Sequence, residues 1–348
     1  MYKGRGAQKQ LKNRFLLHDY VQEHLEGIDE FDTEAPRSTY LEIYPKTIVN
    51  KVESPDVGMD YSLNPYQGCE HGCIYCYARN SHEYWGYNPG LDFERVILYK
   101  TNAPQLLERH FQNPNWQPRT IVLSGNTDCY QPIEKKLQIT RKLLQVFLTY
   151  KNPVGIITKN SMITRDLDII RPLVDHQLFT AYFSLTTLDE SLRRKLEPRT
   201  ATAQQKLKAI KALADLGAEV GVMIGPVIPG LNDHEIPDIM QAAANAGATR
   251  VNYTIVRLNG QIGDLFTHWV RRAYPDRAEK ILNQIKEAHH GQLNDSRFGS
   301  RMRGEGRMIQ SIQRLFELGK AKYFPKTEKT VLRTDLFVRT EKGQLRLF

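Results

Sequence analysis

The chain has 348 residues, 41% of them hydrophobic, enough to bury a sizeable core and to form one large domain with extensions, or two domains. No run approaches the ~20 apolar residues of a membrane helix, no apolar leader follows the basic start Lys3 to Arg14, and there are only four cysteines. A membrane protein and a secreted disulfide scaffold are therefore not expected, and a cytoplasmic, reducing setting is. The net charge of +9 is concentrated at both ends: residues 1–14 hold basic side chains and no acid, residues 296–348 are strongly basic, and the middle is left mildly acidic. Such ends suit a contact with a polyanion such as a nucleic acid, and equally a plain solvated surface.

In chain order, residues 1–58 are rich in charge, contain Pro36, Pro45 and Pro55, and read as an N-terminal extension with little regular structure. From Tyr61 onward, short apolar runs alternate with helical patterns. Strands are predicted over Tyr61–Tyr66, Thr120–Ser124, Val154–Lys159, Phe179–Thr186, Glu219–Gly225 and Val251–Leu258. Leu137–Tyr150 and Thr202–Leu216 carry the i, i+3, i+4 spacing of one-faced helices, and Gly217 suits a helix C-terminus. The alternation predicts an α/β fold with a parallel sheet over residues 59–260. Residues 261–348 form a C-terminal extension, with helices over Arg277–His289 and Gly306–Leu318 and then a basic tail.

The first strand leads into Cys69-Glu70-His71-Gly72-Cys73-Ile74-Tyr75-Cys76. Three thiolates at this spacing can converge from one loop on an iron–sulfur cluster and leave a fourth position open for a reacting ligand. The alternative is zinc, with His71 completing a Cys3His site, although no second C-x2-C knuckle is present. The fourth cysteine, Cys129, stands alone after the second long strand, and its plain reading is a buried apolar thiol. In parallel barrels the functional groups collect where the strands end, which puts the cysteine loop at that rim.

C-x3-C-x-aromatic-C, with Tyr75 as the aromatic residue, resembles the cluster loop of the radical S-adenosylmethionine (SAM) enzymes. The surrounding Asn64-Pro65-Tyr66-Gln67-Gly68 and Tyr77-Ala78-Arg79 narrow the resemblance to the branch that includes spore photoproduct lyase. Gly4-Arg5-Gly6-Ala7, Ser81-His82-Glu83-Tyr84, Asn102-Ala103-Pro104 and Gln344-Leu345-Arg346-Leu347-Phe348 are similar to a bacterial subfamily to which no substrate is assigned. The resemblance implies a partial (β/α)6 TIM-like barrel and a [4Fe–4S] cluster held by Cys69, Cys73 and Cys76, with SAM chelating the fourth iron. It also implies an external one-electron donor such as flavodoxin or ferredoxin.

Residue by residue, the resemblance places Asn126, Thr127 and Asp128 at the SAM ammonium, where they offer acceptors. Lys159 would pair with the SAM carboxylate, Ser184 would touch the ribose, and the strand ending at Gly225 would cradle adenine. Tyr77 would lie near SAM, and Arg199 in Glu197-Pro198-Arg199 would fork onto a carboxylate, either SAM's or the protein's own. The expected chemistry is reductive cleavage of SAM to a 5′-deoxyadenosyl radical that takes hydrogen from a substrate not yet identified: a nucleic acid, or else a small molecule or protein. A zinc-stabilised binding module without catalysis is the non-enzyme alternative. The lyase's hydrogen-donor cysteine maps onto Gly125, which argues against thymine-dimer repair by that route; Cys129 is the candidate substitute donor. His289 and His290 at a helix end are given no catalytic role.

Overall fold

The computed structural model describes residues 4–9, 11–15, 37–325 and 330–339. Lys3, Pro36 and the Gln344–Phe348 motif lie outside the described residues, as does part of the basic C-terminal tail. Ten strands occur among them: β1 Thr39–Glu42, β2 Val49–Lys51, β3 Tyr61–Leu63, β4 Tyr66–Gln67, β5 Val96–Tyr99, β6 Ile121–Leu123, β7 Val154–Thr158, β8 Phe179–Ser184, β9 Glu219–Val227 and β10 Arg250–Ile255.

Six of them form a parallel sheet in chain order, β3-β6-β7-β8-β9-β10, and β2 pairs antiparallel with β3 on the outer edge. This is the α/β parallel architecture of a partial barrel, an open sheet whose edges are β2 and β10. Helices cover it through apolar stripes: Ile139–Tyr150 buries Leu143, Leu144 and Phe147, Ala203–Ala214 buries Ala209, Ile210 and Leu213, and Ile236–Asn245 buries Ile239, Met240 and Ala243. Thr202 caps its helix in a reciprocal box with Gln205, and Gly217 takes the left-handed conformation just beyond that helix. No helix among the described residues is long and apolar enough to cross a membrane.

The N-terminal extension departs from expectation, because it contributes β1 and β2. Every residue of β1 is exposed, so no apolar alternation marks it; it is held by its parallel ladder to β5. The predicted strand Tyr61–Tyr66 is interrupted at Asn64-Pro65. Proline offers no N–H to a ladder, and the chain crosses there from the large sheet to β4, which pairs with β5 in a second, three-stranded sheet. The expected helix Leu137–Tyr150 is divided by Gln138, whose φ of 52° separates a short turn from the helix proper. Beyond β10 come the helices Ile262–Ala273, Ala278–Ala288 and Arg307–Tyr323, the last seating Phe316 against Tyr253 with ring centroids 4.5 Å apart.

Candidate active site at the cysteine loop

The cysteine loop leaves β4 through Gly68 and turns again at Gly72, both with positive φ (75° and 70°). A Cβ at Gly68 would stand 2.5 Å from Val96 O, and one at Gly72 2.9 Å from Glu94 Oε2, so both turns require glycine. The loop is pinned from below by Glu94, a fully buried carboxylate that accepts from the backbone N–H groups of Gly6 (3.0 Å) and Ala7 (2.8 Å) and pairs with buried Arg79 (2.5 Å). Arg79 in turn donates to Cys73 O from Nε (3.0 Å) and Nη2 (2.8 Å). Gly6 packs so closely on the loop that a Cβ would fall 1.8 Å from Gly72 O. The Gly4–Ala7 and Tyr77–Arg79 motifs are thus parts of one clamp.

All four cysteines are reduced; Cys69 and Cys73 are buried and Cys76 is half-buried. Burial is the main force raising each of the three loop thiols above its ordinary pKa. Asp128 adds at Cys69 and Glu197 at Cys73, while the Arg79 charge opposes the rise at Cys76. Thiols in this state become thiolates when a metal takes the proton's place. His71 is committed elsewhere: its Nδ1 lies 3.4 Å from Asp128 Oδ2 and its Nε2 3.3 Å from Asn160 Nδ2. Among the described residues no three His, Cys, Asp or Glu side chains are placed to hold a single metal ion. A four-iron cluster makes a different demand, one thiolate on each of three irons, and three thiols on one loop with no histidine turned to them fit it.

The other candidates surround this loop at the C-terminal ends of the strands. Asn126 donates from Nδ2 to Gln67 Oε1 and Ser81 Oγ (both 3.1 Å), and its Oδ1 has no protein partner among the described residues. Thr127 is buried and spends its hydroxyl on Tyr66 O (2.7 Å). Asp128 is taken up by the protein itself: Oδ1 accepts from Tyr130 N (2.9 Å) and Thr158 Oγ1 (2.8 Å), and Oδ2 from Lys159 N (2.7 Å). It ties the ends of β6 and β7 together, the Asx-type role that competes with ligand binding. Lys159 extends its Nζ to Gly225 O (3.3 Å) and Glu197 Oε2 (3.6 Å), above the Tyr75 ring at 5.6 Å. Burial works against its charge, but Glu197, then Cys73, Cys76 and Asp128, outweigh it and hold its pKa above the ordinary lysine value.

Ser184 ends β8 without a side-chain partner among the described residues. Tyr77 is exposed and donates to Gly125 O (2.7 Å). Arg199 meets the protein's own carboxylate, Glu70 Oε1 at 3.3 Å, and its N–H donates to His71 O, so it braces the loop. Cys129 is fully buried in the main core, with its N–H donating to Ser124 Oγ (2.7 Å); it lies beneath the rim and away from its surface.

Sequence reasoning passed over Glu197. This buried carboxylate accepts from Lys206 Nζ (2.9 Å), Thr186 Oγ1 (3.2 Å), Thr200 Oγ1 (3.3 Å) and the Tyr75 hydroxyl, and reaches Lys159. Despite its burial, Lys206 and Lys159 depress its pKa far below the ordinary value. The signal was present in Glu197-Pro198-Arg199 and in the aromatic residue before the third cysteine, but nothing in the sequence shows that Tyr75 and Glu197 meet.

Residues 63–243 match the radical SAM superfamily. An uncharacterised protein of Mycobacterium tuberculosis is 33% identical over 241 residues, covering 68% of this chain and 71% of its own length. One from Methanocaldococcus jannaschii is 26% identical over 246 residues, covering 70% and 87%. Among solved structures, spore photoproduct lyase with bound AdoMet and dinucleoside spore photoproduct superposes with a TM-score of 0.59 at 15% identity, covering 82% of this chain and 80% of the lyase, which shows a shared fold. The family match over half the chain, on a parallel sheet that carries three thiols at its rim, establishes that this protein belongs to the radical SAM superfamily, enzymes that use a [4Fe–4S] cluster and S-adenosylmethionine.

Proposed function

We propose that Cys69, Cys73 and Cys76 hold the cluster and that SAM lies across the ends of β6 to β9, with a nucleic acid as the substrate. When bound, the reduced cluster supplies one electron to SAM, and the 5′-deoxyadenosyl group so released takes a hydrogen atom from the substrate. The electron comes from an external donor such as flavodoxin or ferredoxin. The observation that carries the reading is the cysteine loop itself, three reduced thiols clamped at the strand ends by Glu94, Arg79 and Gly6.

The chain's own residues then divide the work. Asn126 Oδ1 accepts from the SAM ammonium and Ser184 contacts the ribose, because both keep polar atoms without a protein partner among the described residues. Gly225 lines the adenine side, and Tyr77 covers the methionine side. Lys159, fixed by Glu197 and Gly225 O, lends positive potential to the thiolates, while Asp128, Thr127 and Arg199 position the loop and the strand ends. The substrate assignment rests on the basic ends of the chain and on the likeness to a lyase solved with a dinucleoside. Repair through a thiol at the lyase position is not open to this chain. A Cβ at Gly125 would already come within 2.6 Å of Ser62 Cβ.

The test is deuterium transfer. Reconstituted protein, SAM and reductant are incubated under anaerobic conditions with DNA and with tRNA isolated from cells grown in deuterated medium. Label arriving in 5′-deoxyadenosine from either nucleic acid supports the reading; label arriving only from nucleotide-free fractions overturns it.

A further inference from the structure

The C-terminal extension returns to the mouth of the barrel. Met302 O accepts from Ile255 N (3.0 Å) and Thr254 Oγ1 (3.3 Å), so the segment around residue 300 runs beside β10, on the edge that no strand covers. It delivers Arg301, which is answered by the N-terminal extension: Nε to Asp56 Oδ2 (2.5 Å) and Nη2 to Ser54 Oγ (2.6 Å). Its guanidinium covers the Phe298 ring at 4.2 Å, and that ring is 62% exposed.

Arg257 stands two residues beyond the end of β10 and is half-buried. It has no ion-pair partner among the described residues, and its Nη1 meets only Met302 Sδ at 3.6 Å. Burial and then the neighbouring Arg301 charge disfavour its charged form, while Asp56, Asp295 and Tyr77 favour it from further away. The following residues dock on the helix that begins at Tyr77, through the Asn80 Nδ2 bond to Asn259 O (3.0 Å). Arg257 therefore belongs to the same mouth as Tyr77 and Gly125.

A half-buried guanidinium without a carboxylate is costly unless a ligand supplies the counter-charge. Arginine's planar fork matches the oxygens of a phosphate. A single unpaired guanidinium matches the single charge of a phosphodiester. An exposed aromatic face next to a guanidinium is what an unpaired base stacks on.

We propose that Arg257 and Phe298 form a nucleotide-binding site at the barrel mouth, the guanidinium receiving a phosphodiester of a single strand and the ring its neighbouring base. The inference rests on the reading of a nucleic-acid substrate and names the strand's point of contact.

The test is fluorescence anisotropy of a fluorescein-labelled ten-nucleotide single-stranded DNA on the reconstituted protein, titrated over a series of salt concentrations. Arg257→Gln weakens binding about tenfold and lowers the slope of log K against log salt by about 1. Phe298→Ala weakens binding about fivefold or more with the slope unchanged. Arg194→Gln, an exposed residue paired with Glu190, stays within about twofold of the wild type as a control on total charge. Iron content equal to that of the wild type certifies each variant. Binding that both Arg257→Gln and Phe298→Ala leave unchanged overturns this site while the nucleic-acid reading stands. Absence of single-stranded DNA binding by the wild type overturns this site, and the nucleic-acid reading falls with it only if tRNA and duplex DNA also fail to bind.

Discussion

Glu197 and His82 carry the least expected burdens among single residues. Replacing Glu197 by Ala leaves Lys206 buried without its partner and Lys159 without its nearest carboxylate, a loss of about 3–5 kcal/mol. Urea unfolding of the apoprotein measures it; an unchanged midpoint would show that the carboxylate is not a structural hub. His82 lies stacked on Tyr87 and edge-on to Phe93, and burial, with some help from Arg79, pushes its pKa down from 6.5 to about 4. Between those two values only the unfolded chain takes up a proton, so its contribution is complete above about pH 6.5 and is lost as the pH falls toward about 4. The expected loss from pH 7.5 to pH 5 is about 2 kcal/mol, and it should shrink in His82→Phe. Cys129→Ala should leave SAM cleavage and substrate turnover unchanged, since the thiol sits in the core; loss of turnover with normal SAM cleavage would restore it as hydrogen donor.

At the scale of elements, the clamp under the cysteine loop joins a segment from the chain's start to the short Asp92–Arg95 helix before β5 and to the Tyr77–Trp85 helix. Gly6→Ala should push the N-terminal segment off Gly72 and lower iron retention after reconstitution, while the far-ultraviolet dichroism stays that of the wild type. Full iron retention in that variant would show that the clamp is not needed. Much of the sheet was legible because β7, β8 and β9 are continuous apolar runs separated by one-faced helices, and the cysteine loop was legible from spacing alone. The clamp was not: the Gly4–Ala7 motif could be noted but not placed, since its partner Glu94 lies far along the chain with no local mark. β1 and β2 escaped for the related reason that backbone pairing holds them, with no fully buried side chain to betray it. At the strand ends the sequence could name candidate residues and could not say which of their oxygens were already spent. Asp128 and Thr127 proved to be internal ties, and Asn126 keeps an acceptor.

For the whole molecule, the open sheet edge at β10 is closed by the chain's own C-terminal segment, with Asp56 and Ser54 of the N-terminal extension bracing it. From the described residues of the two basic ends, Arg5 reaches Glu94 O beneath the cysteine loop and Arg301 pairs with Asp56. The proposed nucleic-acid substrate predicts substrate binding that weakens steeply with salt. The proposed chemistry depends on Cys69, Cys73 and Cys76 acting together. Iron, zinc and 5′-deoxyadenosine should be measured on one anaerobically reconstituted, dithionite-reduced preparation of the wild type and of the three single Cys→Ala variants. The wild type should carry about four irons per chain and release 5′-deoxyadenosine, and no variant should do either. One zinc per chain, or 5′-deoxyadenosine release that survives the loss of any of the three thiols, would contradict that chemistry.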